Sequence, residues 1–302
     1  MKWEKLGKIL VPATSLFWNR THVMLPTPDH VEGEIFKIFY SGRDSKNRSH
    51  IGAVTVNLSE PHKVLDITEN PLLSPGQLGC FDDNGVSPSS IVNLGDRKLL
   101  YYIGWKPRCT TRMSVVAGLA QSWDDGRSFT RVSRAPVLHR TDREPFGIMT
   151  APWVLKDRDV FRMWYVSGLA WVNADLPRYN IKYAESDNGV HWNQQGVVAI
   201  DSRDADETSL ARPCVLKENG LYKMWYSFKY AGDKYAMGYA ESLDGLAWVR
   251  LDDRVGIDRS MTGWDSEMIE YGAVFAHRGS KYMLFNGNGY GCSGAGLAVL
   301  LE

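Results

Sequence analysis

The chain has 302 residues, 44% hydrophobic and 23% charged, with 35 basic side chains against 35 acidic ones and a formal net charge of zero. That balance is ordinary for a globular protein. It excludes disorder and fibrous repeats, and it leaves no net field to hold nucleic acid or an anionic membrane.

The opening segment MKWEKLGKIL carries Lys2, Glu4, Lys5 and Lys8, so no apolar leader is read there, and no run is long enough to cross a bilayer. Trp3 to Leu10 (WEKLGKIL) reads as a strand. The next strong signal is IFYSG, ending at Gly42 and followed at even intervals by LYYIGW (100–105), MWYVSG (163–168), MWYSF (224–228) and MLFNG (283–287). Their aromatics, Tyr40, Tyr102, Tyr165, Tyr226 and Phe285, stand 62, 63, 61 and 59 residues apart. Five equivalent units therefore fill the chain.

Within a unit, a first strand begins about thirteen residues before the aromatic one, at Pro88, Pro152, Pro213 and Gly272. A third strand follows, as in AGLA (117–120), KYAES (182–186), GYAES (238–242) and GLAV (296–299). Asp125-Gly126, Asn188-Gly189 and Asp244-Gly245 then supply the positive φ of tight turns leading to Phe129, Trp192 and Trp248, each opening a fourth strand. Short strands rich in aromatic and β-branched residues, with almost no helical periodicity, predict an all-β chain. It is a single domain over 1–302: a five-bladed β-propeller of four antiparallel strands per blade. The last unit has only three strands, and WEKLGKIL matches the fourth strands at Trp192 and Trp248, so the N-terminal strand is expected to close the ring in the last blade.

Strand direction sets the working face opposite the Asx-Gly turns. It gathers the segments 15–21, 77–87, 140–150, 201–211 and 258–271 with 41–50, 105–113, 168–179, 228–234 and 288–294. The run Gly287 to Gly294 (GNGYGCSG) reads as a flexible hairpin lining a central funnel, since it lacks the Lys-Ser/Thr of a phosphate loop. Cys80, Cys109, Cys214 and Cys292 are isolated, and the histidines lack metal-ligand spacing. No metal, cofactor or disulfide framework is expected, and a cytoplasmic location is.

The repeat, the xPxV first strands, the MWY second strands and the SxDGxxW turns resemble the five-bladed propeller glycosidases of glycoside hydrolase families 43, 32 and 130, including glycosidase-like proteins of bacterial polysaccharide loci. The resemblance implies carboxylates at the heads of the first strands. The matching places here are Thr21 or His22, Ser87 and Thr150, so that trio is absent, and chemistry falls to other carboxylates.

Asp83, Glu207 and Glu270 are the candidate acid/base set, with Glu270 two residues before Gly272 as proton donor and Asp83 as base. Asp82, Glu144 and Asp265 fit turn capping or pairing with Arg140, Arg143 and Arg203. Arg212, before Pro213, faces the channel as a partner of Glu207 or Glu270, or as a fork for a substrate anion. Arg20, His22, Glu267, Tyr271, Trp105, Asn288 and Tyr290 complete the candidate binding set; Trp18, Trp171 and Trp264 are further loop aromatics able to stack on a sugar. The expected partner is a carbohydrate or nucleotide sugar. Three activities follow: cleavage or rearrangement of a glycosidic or activated-sugar bond, phosphorolysis or nucleotide-sugar chemistry, or glycan or partner binding without catalysis.

Overall fold

The computed structural model describes residues 1–301. After β1 (Trp3–Leu10), the strands come in antiparallel meanders. The first is β2 (Thr21–Glu32), β3 (Ile35–Arg43), β4 (Ser49–Asn57) and β5 (Val64–Ile67). The second is β6 (Val86–Asn93), β7 (Lys98–Pro107), β8 (Met113–Ser122) and the two-residue β9 (Thr130–Arg131). Then come β10 (Ile148–Asp157), β11 (Val160–Trp171), β12 (Pro177–Ser186) and β13 (Asn193–Ile200), followed by β14 (Glu207–Glu218), β15 (Leu221–Tyr230), β16 (Ala236–Ser242) and β17 (Val249–Arg250). The last comprises β18 (Glu270–His277), β19 (Ser280–Asn286) and β20 (Ala295–Leu300), and β1 adds to its outer edge through Trp3↔Leu300 to Leu10↔Ala295.

Hydrogen bonding does not make one closed barrel. Short parallel contacts, β8 with β10 and β12 with β14, join the middle meanders into a twelve-stranded sheet flanked by two four-stranded ones. The first strands also touch side to side in the order β2, β6, β10, β14, β18 and back to β2.

The second-strand aromatics are core. Tyr40, Tyr102, Tyr165, Tyr226 and Phe285 are fully buried, and each tyrosine hydroxyl is satisfied by a polar side chain from an adjoining loop. Tyr40 meets the Asn19 amide at 2.6 Å, Tyr102 donates to Asp82 at 3.0 Å, Tyr165 to Glu144 at 2.9 Å, and Tyr226 to Asp252. Phe285, with no hydroxyl, stacks on Trp264 instead, 5.4 Å between centroids. Buried phenols need such partners, which explains the acidic residues in these loops.

The Asx-Gly turns behave as capped turns with a small correction. Asn188 and Asp244 accept two backbone N–H groups each at 2.8–2.9 Å. In the second meander Asp124 takes that role, and the extra residue Asp125, at φ 59°, pairs with Lys98.

The strand expected from Trp248 onward ends at Arg250, because the Asp252 side chain takes the Tyr239 amide at 3.0 Å and starts a 3-10 turn. The Gly287–Gly294 hairpin proves to be one helical turn, α1 (Asn288–Gly291), with Gly289 and Tyr290 in left-handed conformation. Glu207, expected in a loop, opens β14 by pairing with Tyr230.

Candidate functional site

Each first strand carries a bulge at its head. Register sets Met24 opposite Ser41, Ser87 opposite Ile103, Thr150 opposite Val166, Ala211 opposite Ser227 and Glu270 opposite Asn286, always one step beyond the second-strand aromatic. The following residue is forced to positive φ at Leu25 (56°), Ala151 (47°), Arg212 (42°) and Tyr271 (55°). Met24, rather than Thr21 or His22, is thus the counterpart of Ser87 and Thr150. Of the five equivalent side chains, only that of Glu270 ionises.

Glu270 is fully buried, and neither carboxylate oxygen has a hydrogen-bond partner. Burial raises its pKa well above the usual carboxylate range, with the Lys229 charge opposing. Its surroundings are phenolic. Tyr235 lies 5.7 Å from Tyr271 and 6.3 Å from Tyr290, ring to ring, and its hydroxyl meets that of Tyr179. The charge of Glu270 acts on all four tyrosines, whose pKa values burial pushes up. Lys229 lies over the Tyr235 ring at 5.1 Å, and Arg43 sits beside Tyr271 and Cys292. His22, half-buried next to Arg43, has its pKa lowered to about 4 by burial and by that charge, so its ring is neutral at pH 7. Trp105, Trp171 and Tyr179 border one apolar cluster formed by Val115, Ile148, Ala151 and Val166.

Several expected residues stand apart. Glu207 is fully buried in a two-point ion pair, with Arg250 on both its oxygens at 2.7 Å and the Arg203 amide adding a bond at 2.7 Å. Asp83 accepts from the Gly79 amide at 2.8 Å and lies 3.2 Å from Lys106; no hydrogen bond or ion pair joins it to Glu270 among the described residues.

Arg212 has no carboxylate partner. Its terminal nitrogens donate to the Pro26 carbonyl (3.0 Å), the Thr27 hydroxyl (2.9 Å) and the Tyr271 carbonyl, spanning from β14 to β2 and β18. It is a central tie, not a fork for a ligand, and burial lowers its pKa to about 10. Asn288 is spent on the loop before β18, accepting from the Glu267 and Met268 amides and donating to Gly263. The Glu267 and Arg20 side chains are exposed and form no ion pair among the described residues. Trp18 is wholly buried against Tyr40, and the half-buried Trp264 stacks on Phe285, so both pack against the core. Asp82 pairs with Arg131, Glu144 with Lys182 and Asp265 with Lys5, not with the arginines expected.

Sequence reasoning therefore brings Glu270, Tyr271, Tyr290 and His22 to one place and misses Tyr179, Tyr235, Lys229 and Arg43. Apart from Tyr235, one residue beyond Lys234, the missed residues fall inside the loop segments assigned to the working face; that placement was the available signal. A groove elsewhere, lined by Met1, Trp225, Tyr239 and Arg254, contains none of the candidate residues. Among the described residues no cluster of His, Cys, Asp and Glu is arranged to hold a metal ion, and no helix is long and apolar enough to cross a membrane.

No family model matches the chain. It is 47% identical over 301 residues to Uncharacterized protein MT1551 of Mycobacterium tuberculosis, covering 99% of each chain. Among solved structures it is similar to a putative glycoside hydrolase from Bacteroides ovatus (13% identity, TM-score 0.75, covering 100% of this chain and 97% of that one). It is also similar to a thermostable family-43 glycoside hydrolase (15% identity, TM-score 0.69, 92% and 89%). At these identities the likeness is one of fold.

Proposed function

Because this chain belongs to the same family as the mycobacterial protein MT1551 and shares the fold of the propeller-type glycosidases, we propose that it is a carbohydrate-active enzyme. In this reading residues 1–302 are one five-bladed propeller, closed by the N-terminal strand in the last blade. The cyclic contact of the first strands and the pairing of β1 with β20 support it.

The observation that carries the functional reading is Glu270: a carboxyl buried at the ring of strand heads, without a hydrogen-bond partner, among four tyrosines. Burial favours the protonated form of such a group, the form that protonation of a leaving sugar oxygen requires. The bond acted on is glycosidic or that of an activated sugar. The exposed Tyr290 ring, edge-on to Tyr235, offers flat apolar surface to a sugar. Asp83, paired with Lys106 and accepting from the Gly79 amide, is the base in this reading. Glu207, paired with Arg250, has no part in the reaction.

The test begins with a thermal-shift screen of oligosaccharides and nucleotide sugars, followed by turnover of whatever binds. Glu270→Gln keeps the shape and loses the proton. It is expected to cut turnover by about 10²–10⁴-fold with ligand binding retained. Turnover surviving within a few-fold removes Glu270 from the chemistry.

A further inference from the structure

Lys229 and Arg43, two half-buried cations near Glu270, form no ion pair among the described residues, whereas several buried or half-buried cations elsewhere do. Lys98 meets Asp29 and Asp125, Arg131 meets Asp82, Lys182 meets Glu144, and Arg250 meets Glu207 and Asp252. Lys229 is half-buried and has the Tyr235 face under its ammonium in place of a carboxylate. The half-buried Arg43 guanidinium contacts only neutral acceptors, Asn47 Oδ1 at 3.0 Å and Met24 Sδ at 3.3 Å. Arg112, exposed on the loop before β8, acts electrostatically on Arg43, Lys229, Tyr179 and Tyr290, so the three cations share one field. Lys234 adds to the charge felt by Lys229. The one acidic group in the cluster is Glu270.

Among the described residues the half-buried Lys229 and Arg43 have a ring face and neutral acceptors in place of a carboxylate, a local excess of charge that costs folding energy. Such costs are kept where a ligand supplies the missing charge. We infer that this site takes a sugar bearing an anionic group, a phosphate ester or a uronate carboxylate, with the charge held between Lys229, Arg112 and Arg43 and the ring against Tyr290. The inference rests on the carbohydrate reading above and replaces Arg20 and Arg212 as the anion's partners. Arginine supplies a planar fork and lysine a point charge, which suits either anion; Glu270, uncharged, does not repel it.

The experiment is a calorimetric titration of the full chain with hexose 1- and 6-phosphates, hexuronates and the parent neutral hexoses, at two salt concentrations. A charged sugar is expected to bind at least about 10-fold more tightly than its neutral parent, with affinity falling as salt rises. Lys229→Gln and Arg112→Gln are each expected to weaken it by about 10-fold; Arg112 is exposed, so its replacement leaves folding intact. The phosphate and uronate arms identify which anion is preferred. Equal binding of neutral and charged forms overturns the inference, as does undiminished affinity in both variants. If neutral sugars alone bind, the inference falls and the carbohydrate reading stands. If no sugar of either kind binds, both fall.

Discussion

A buried carboxyl without hydrogen bonds couples protonation to stability with a definite sign. The unfolded chain releases the Glu270 proton in the ordinary carboxylate range, whereas the folded chain holds it to higher pH because burial penalises the anion. Folding stability therefore falls as pH rises above about 4.5, by up to about 1.4 kcal/mol per pH unit until the folded group ionises. Glu270→Gln removes this dependence. Urea unfolding is expected to show the variant more stable than the parent at pH 7, with the gain gone at pH 4. A gain equal at both values would mean that the glutamate is not protonated in the folded state.

Arg212 makes the opposite case. Its guanidinium ties backbone from β2 and β18, so Arg212→Met takes this donor from the Pro26 and Tyr271 carbonyls and leaves the Thr27 hydroxyl only its bond to the Leu25 carbonyl. It should cost on the order of 3 kcal/mol without any ligand present. Unchanged stability would return Arg212 to a purely ligand-binding role.

At the scale of elements, what sequence reveals depends on whether the signal is local. The aromatic second strands and Asx-Gly turns are legible because each rests on residues adjacent in the chain; the turn caps at Asn188 and Asp244 use backbone donors two and three residues away. The bulges are not. Leu25, Ala151, Arg212 and Tyr271 take positive φ with no glycine or asparagine to announce it, and neighbouring strands impose the conformation. That hidden residue is why the ring position in β2 is Met24 rather than Thr21 or His22. Glu270 is found by its offset from a first strand, but Tyr179 and Tyr235 meet only because two meanders pack together, a contact 56 residues apart in sequence. Arg250, which silences Glu207 as a chemical group, is equally remote, 43 residues away.

β1 bears on the same scale. It covers the edge of β20, donates the Trp3 indole N–H to the Val255 carbonyl at 3.0 Å, and brings Lys5 to the buried Asp265 at 2.6 Å. Deleting residues 3–10 strips all three at once and leaves an unpaired strand edge. The truncated chain is expected to melt lower and to form concentration-dependent oligomers, measurable by calorimetry and light scattering. A monomer of unchanged melting temperature would show that β1 contributes little.

For the molecule as a whole, the question is whether the meanders fold separately. Their interfaces argue otherwise. Trp164 of β11 packs against Tyr222 of β15 at 5.9 Å and Trp248 at 6.0 Å, both from the next meander. The Trp153 indole donates to the Val215 carbonyl at 2.9 Å, Ser90 Oγ bonds the Pro152 carbonyl at 3.0 Å, and the Val274 amide reaches Cys214 Sγ at 3.1 Å. Meanders thus bury large aromatics against one another, and Arg212 joins three of them. One cooperative unit follows, as the proposed single-domain propeller requires.

A local lesion tests this. Gly189 has φ 73°, and a Cβ there would come within 2.8 Å of the Tyr101 hydroxyl on the preceding meander. Gly189→Ala is therefore strained twice and should cost about 1–3 kcal/mol. If the chain is one cooperative unit, that cost shifts tryptophan fluorescence and far-ultraviolet circular dichroism together, as one transition at a lower denaturant midpoint with unchanged slope. Two separated transitions, with only the earlier one moved by the substitution, would mean that the meanders around Gly189 unfold on their own and that the chain is not a single domain.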